Sequence, residues 1–155
     1  MVNILNLYAK WQKEVITGLI KENLQTYRGV EKDGVFYFTT DGYTLKRIPT
    51  KYLFVQLPKE EDRFSTLAEM LPPLEEKNTP AALSEFYVLE KRTLLKCESV
   101  EIPNNFVWIN KKLLEKTFGK IEDINLFIGG ELDPVLVKSG SVVLGMILPV
   151  RIPKK

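Results

Sequence analysis

Histidine does not occur anywhere in this chain, and that absence excludes more function classes than any residue present. Without imidazole there is no Ser-His-Asp or Cys-His nucleophile, no HExxH zinc site and no histidine acid–base pair. Cysteine is nearly missing as well. Cys97 stands alone, which rules out an internal disulfide and a multi-cysteine zinc site and leaves a small core or strand residue. No GxxxxGK[ST] or GxGxxG loop is present to cradle phosphates. Long apolar runs are lacking too. None approaches the ~18 residues of a membrane span, and the N-terminus shows no signal-peptide pattern, so a cytoplasmic protein is expected. Charge of one sign is scarce: 22 Lys and Arg against 20 Asp and Glu leave a net charge of +2. Any basic surface must therefore come from where the lysines sit. The carboxylate groups Glu60-Glu61-Asp62 and Glu75-Glu76 flank a proline-containing connector and read as solvated charge rather than as a general acid and base. Neither an enzyme nor a cofactor is expected.

What is there is ordinary globular material. Hydrophobic residues make up 45% and charged residues 27% of 155 residues, a composition that folds and a length that buries roughly 70% of the unfolded chain's surface in one core. Tyr8, Trp11, Val15 and Leu19 recur at helical spacing and predict a helix from Tyr8 to Asn23, with Lys10, Lys13, Thr17 and Lys21 on its opposite face. Strands are predicted at Tyr27 to Glu31, Val35 to Thr40, Tyr43 to Ile48 and Tyr52 to Leu57. The dipeptides Asp33-Gly34 and Asp41-Gly42 supply the turns. From Lys59 to Pro80 acidic residues and prolines mark a connector, in which Phe64, Leu67, Met70 and Leu71 suit one or two helical turns before Pro72-Pro73 stop them.

A second series of elements begins beyond the connector. A strand region runs from Phe86 to Ile102 with a break near Lys91-Arg92. Then come a strand at Phe106 to Ile109, a helix from Asn110 to Phe118 capped by Asn110 and stopped by Gly119, and strands at Ile124 to Ile128, Pro134 to Lys138 and Val142 to Leu148. Gly129-Gly130 reads as a tight turn. The last two strands form a hairpin, after which Pro149 removes a ladder donor and Arg151 adds a charge, so the hairpin reads as a sheet edge or rim. The order of elements implies one domain of two halves, about 1–58 and 84–155, joined by a connector at about 59–83.

The stretch GVFYFTTDGYTLKRI, Gly34 to Ile48, resembles the strand-TDG-strand signature of bacterial DNA sliding clamps, the β subunits of the replicative polymerase. DPVLVKSG at Asp133 to Gly140 and LPVRI at Leu148 to Ile152 resemble the closing strands of the last clamp domain, and INKKLLEKTF, Ile109 to Phe118, falls where that family places a helix. The resemblance implies an α+β, DNA-clamp-like fold: two helix-plus-β-meander halves with the helices on one face of a continuous curved antiparallel sheet.

It also implies a function and two sites. The function is that of a processivity-factor-like accessory of DNA replication, with Lys10, Lys13, Lys21, Lys112 and Lys116 facing duplex DNA through sequence-independent phosphate contacts. The second site is an apolar pocket for a short peptide from a polymerase or loader-type protein, bordered by Thr40, Gly42, Tyr43, Leu45, Leu148, Pro149, Val150 and Arg151. Where the family has His-Arg after TDG this chain has Tyr43-Thr44, so the cationic contact is absent or supplied by Lys46 or Arg47. Clamp chains carry three such domains and close as dimers. A chain of one domain would need six copies in a homo-oligomeric ring, or would act without a ring, as a relative from a phage or mobile element. The alternative is a protein-interaction or regulatory module that uses the fold as a peptide-binding or decoy surface.

Overall fold

The computed structural model describes residues 3–21, 26–59, 67–130 and 133–151. Among them the element order is α1 (Ile4–Ile20), β1 (Arg28–Lys32), β2 (Val35–Thr39), β3 (Thr44–Pro49), α2 (Leu67–Lys77), β4 (Thr79–Leu89), β5 (Arg92–Ser99), β6 (Phe106–Asn110), α3 (Lys111–Phe118), β7 (Asn125–Ile128), β8 (Val135–Ser139) and β9 (Val142–Ile147). The protein is α+β, and its strands form a single antiparallel sheet in the order β1-β2-β3-β9-β8-β7-β4-β5-β6.

The join between β3 and β9 organises everything else. Thr44, Leu45 and Lys46 face Ile147, Met146 and Gly145 in register, and around this pair the order reads outward as 3-2-1 on one side and 9-8-7 on the other. A helix precedes each meander, α1 before β1 and α3 before β7. Gly145 makes the close approach possible, because a Cβ there would lie 1.9 Å from the Leu45 carbonyl oxygen. The closing hairpin is therefore not an edge: β9 lies between β3 and β8 in the middle of the sheet. Pro149 comes two residues after β9 and leaves its ladder intact.

The sheet curls. Val150 donates its amide to the Trp108 carbonyl at 2.7 Å and bridges the outer strand β6, although β6 stands five strands from β9. Five flat steps would span about 24 Å, whereas the three residues from Ile147 to Val150 reach at most about 10 Å.

Strand alternation divides the apolar residues between two cores. Leu7, Tyr8, Trp11 and Val15 of α1 and Leu114 and Phe118 of α3 share one core with Phe36, Phe38, Ile48, Leu95, Ile109, Val137 and Ile147. The two helices thus cover the same face. They also touch, since the Trp11 indole donates to the Thr117 carbonyl at 2.8 Å. On the other face Leu71 and Leu74 of α2 pack on Val30, Leu45, Leu136, Val143 and Met146.

Several local expectations are corrected. Helix α1 starts four residues early because the Asn3 side chain accepts from the Asn6 amide at 3.1 Å. Its buried stripe runs through Gly18 rather than Leu19, which is exposed, and Asn23 lies outside the described residues. No strand forms at Tyr52 to Leu57. A 3-10 turn at Thr50–Tyr52 takes its place, and the next residues give their main chain to the buried Gln12, whose amide donates to the Tyr52 carbonyl and whose oxygen accepts from the Phe54 amide. Helix α2 continues through Pro72 and Pro73. Both prolines are exposed, so water can serve the carbonyls they leave unpaired, while buried Leu71 and Leu74 hold the helix to the sheet. Strand β4 begins at Thr79, inside the expected connector. Phe64 and Glu60-Glu61-Asp62 lie outside the described residues.

Candidate nucleic-acid interface

A groove of about 830 Å³ runs beside α1, bounded by α3 and the β2–β3 hairpin. Its lining includes Asn6, Lys10, Lys13, Glu14, Thr17 and Lys21 from α1, Lys116 and Thr117 from α3, and Thr40, Asp41 and Lys46 from the hairpin. Five lysines against two carboxylates leave three positive charges there, more than the net +2 of the whole chain. From Lys10 to Lys21 the helix advances about 16 Å, so the charge is a strip rather than a point. Four lysines expected from the sequence, Lys10, Lys13, Lys21 and Lys116, come together here. Lys112 does not. It is exposed on α3, one turn before the point where α1 docks.

That docking is local and specific. Lys10 donates from Nζ to the Lys116 carbonyl at 2.7 Å, beside the Trp11–Thr117 bond. Trp11 is completely buried and stacks edge-on against Phe38 and Phe118, with ring centroids 6.2 and 5.9 Å away. The groove wall is thus pinned to the core, and four of its five lysines are carried by the joined helix pair.

Lys46 is the unusual member. Alternation along β3 puts it on the same face as Thr44 and Ile48, toward the helices, and only 3% of it is exposed. Its Nζ donates to the Thr40 hydroxyl at 3.1 Å and the Thr44 hydroxyl at 3.3 Å. It also lies 5.6 Å from the centroid of Phe38, its cross-strand partner. Burial holds its ammonium below the ordinary lysine range; Asp41 and Glu14 oppose that shift, and Lys116 and Lys10 add to it. The Asp41 carboxylate does not reach Lys46 directly. It accepts from the Tyr43 and Thr44 amides at 2.8 Å each and pairs with the Thr44 hydroxyl, which shapes the hairpin tip around Gly42 at φ 79°.

The residues expected to border a peptide pocket are divided. Tyr43 and Leu148 meet within one chain, the Leu148 amide donating to the Tyr43 carbonyl at 2.9 Å. Tyr43 is 62% exposed. Gly42 and Arg151 are exposed, and Leu148, Pro149 and Val150 are half-buried, with Val150 held to Trp108. Thr40 belongs instead to the lysine groove. Leu45 is buried under α2 in the second core, because alternation turns it away from Thr44 and Lys46. Arg47 shares that outward parity, so of the two cations near the TDG turn only Lys46 joins the groove. Trp108, which anchors the chain after β9 and stands 5.8 Å from the Tyr87 ring, carried no sequence signal for this role.

No helix of the described residues is long and apolar enough to cross a membrane. Comparisons with protein-family models, curated proteins and solved structures find no match to this chain.

Proposed function

We propose that this protein is a clamp-like accessory of DNA replication that binds duplex DNA without sequence preference through the groove beside α1. One observation carries the reading: lysines from two helices and a strand, distant in sequence, converge on one groove on the helix-covered face of a curved sheet. Such an arrangement suits a phosphate backbone, which rewards charge spaced along a line and asks for no base contacts. A homo-oligomeric ring of six copies is the assembly that the clamp reading calls for, and β1, which among the described residues pairs only with β2, offers an edge for it. The role is binding, not catalysis.

The test is duplex binding measured against salt. Binding should be equal on unrelated sequences and weaken with salt, each phosphate contact adding about 0.9 to the log-log slope. Reversing Lys13 and Lys21 to glutamate should lower affinity on every sequence alike. Unchanged binding after both reversals would sink the reading. The mass in solution separates a ring from a monomer.

A second reading, a peptide-binding or decoy module, is favoured by the Tyr43–Leu148 contact, which unites the TDG turn and the closing motif without a second subunit. Under this reading a short hydrophobic peptide from a polymerase or loader-type protein shifts the NMR signals of Tyr43, Leu148 and Val150, and Tyr43→Asp abolishes the shifts while leaving the melting curve in place.

A further inference from the structure

We infer that the floor of the lysine groove is a seat for one phosphoryl group, built around the buried Lys46 and filled by a backbone phosphate of bound nucleic acid. The inference rests on the reading of the groove as a DNA-binding surface and adds a defined position to it. An ammonium has three N–H donors. In Lys46 two of them are taken by the Thr40 and Thr44 hydroxyls, and the residue lines the groove, so the third is available to a ligand there. Neither hydroxyl supplies countercharge. Among the described residues no carboxylate lies within ion-pair distance of Lys46; Asp41 and Glu14 act on it from beyond that distance, and Asp41 shares the Thr44 hydroxyl with it.

A buried charge left in this condition is costly, and proteins ordinarily pair it or replace it. A phosphate oxygen entering the groove would supply the missing charge and acceptor together. Lys10 and Lys116 line the same groove and would take the remaining oxygens. Exposed lysines such as Lys13 can contact any phosphate that passes. Lys46 can contact only one that settles into the groove, so it fixes the register of the strand against the hairpin while the rim lysines supply affinity.

Two measurements test this. In wild-type protein carrying ¹³C-lysine, with the Lys46 signal assigned through Lys46→Arg, inorganic phosphate should shift the Lys46 Cε resonance saturably at one site, and chloride at equal ionic strength should not. The absence of a saturable shift overturns the seat, and the titration itself is made on the wild-type protein. In duplex binding, Lys46→Met, with folding verified by its melting curve, should reduce the log-log salt slope by about 0.9 and lower affinity equally on unrelated sequences. A phosphate shift with an unchanged slope overturns the nucleic-acid backbone as the occupant and leaves a free-phosphate site. Wild-type protein that fails to bind any duplex sinks the proposed function, and the seat then stands or falls on the phosphate titration alone.

Discussion

The indole N–H of Trp11 donates to the main-chain carbonyl of Thr117 across 2.8 Å, joining the two helices that cover the groove face at residues 106 positions apart. The bond lies beside the Lys10–Lys116 contact, so it fixes the spacing of the basic strip as well as the packing of the core. Trp11→Phe keeps an aromatic ring but removes the donor, leaves the Thr117 carbonyl unsatisfied and opens a gap against Phe38 and Phe118. The fold should lose about 2–3 kcal/mol in urea unfolding. If the groove binds duplex DNA as proposed, affinity should fall with it, although the Trp11 side chain is completely buried. A loss below about 0.5 kcal/mol would show that α1 and α3 are held together by other contacts.

Gly145 is where the two meanders meet. An alanine Cβ would stand 1.9 Å from the Leu45 carbonyl oxygen, a backbone atom that cannot swing aside, so β3 and β9 would have to part. Gly145→Ala should cost about 3 kcal/mol or more. Amide exchange should rise first at the backbone protons between Thr44–Lys46 and Gly145–Ile147, and wild-type exchange there would refute the idea that this pair joins the halves.

Much of this was legible locally. Asn110 and Gly119 mark the ends of α3, and the Asn110 side chain does accept from the Leu113 amide at 3.0 Å. Asp41-Gly42 marks a hairpin whose tip Asp41 and Gly42 build as expected. The partner of β9 was not legible, because Pro149 and Arg151 mark where the strand stops and carry no trace of β3, which comes from the far end of the chain to lie beside it. Lys46 was hidden for a related reason. A lysine suggests solvent, whereas alternation with Thr44 and Ile48 points inward, and the hydroxyls of Thr40 and Thr44 in the same hairpin receive the ammonium there. Lys112 and Lys116 share a helix side by periodicity, yet of the two only Lys116 lines the groove, whose α3 wall is Leu113, Lys116 and Thr117; Lys112 stays exposed outside it.

Cys97 is fully buried in the helix-covered core, and burial alone pushes its thiol up to about 12. At pH 8 almost none is thiolate, and the thiolate is the reactive species. Disulfide reagents should therefore modify the native protein at the rate at which it unfolds and the denatured protein at once. Rapid native labelling would place Cys97 outside the core.

Lys46 should be a stability liability whose size follows pH. Desolvation lowers its pKa in the folded state, with Asp41 and Glu14 opposing the shift and Lys116 and Lys10 adding to it. The unfolded chain holds the proton up to the ordinary value of 10.5, whereas the folded chain releases it at a lower pH. Between those two values the unfolded state binds more protons, so this residue's contribution to stability improves as pH rises. Below the folded value the penalty is constant and complete. Lys46→Met keeps an unbranched side chain one atom shorter and removes the charge, and should stabilise the fold by about 1 kcal/mol at neutral pH. Measured by urea unfolding, the advantage of the variant should shrink as pH climbs toward the ordinary lysine range; groups common to both proteins, Tyr8 among them, cancel in the difference. A structural lysine would give the opposite sign, with Lys46→Met less stable at every pH. Greater stability together with weaker duplex binding would mean that the fold keeps this buried charge for its ligand.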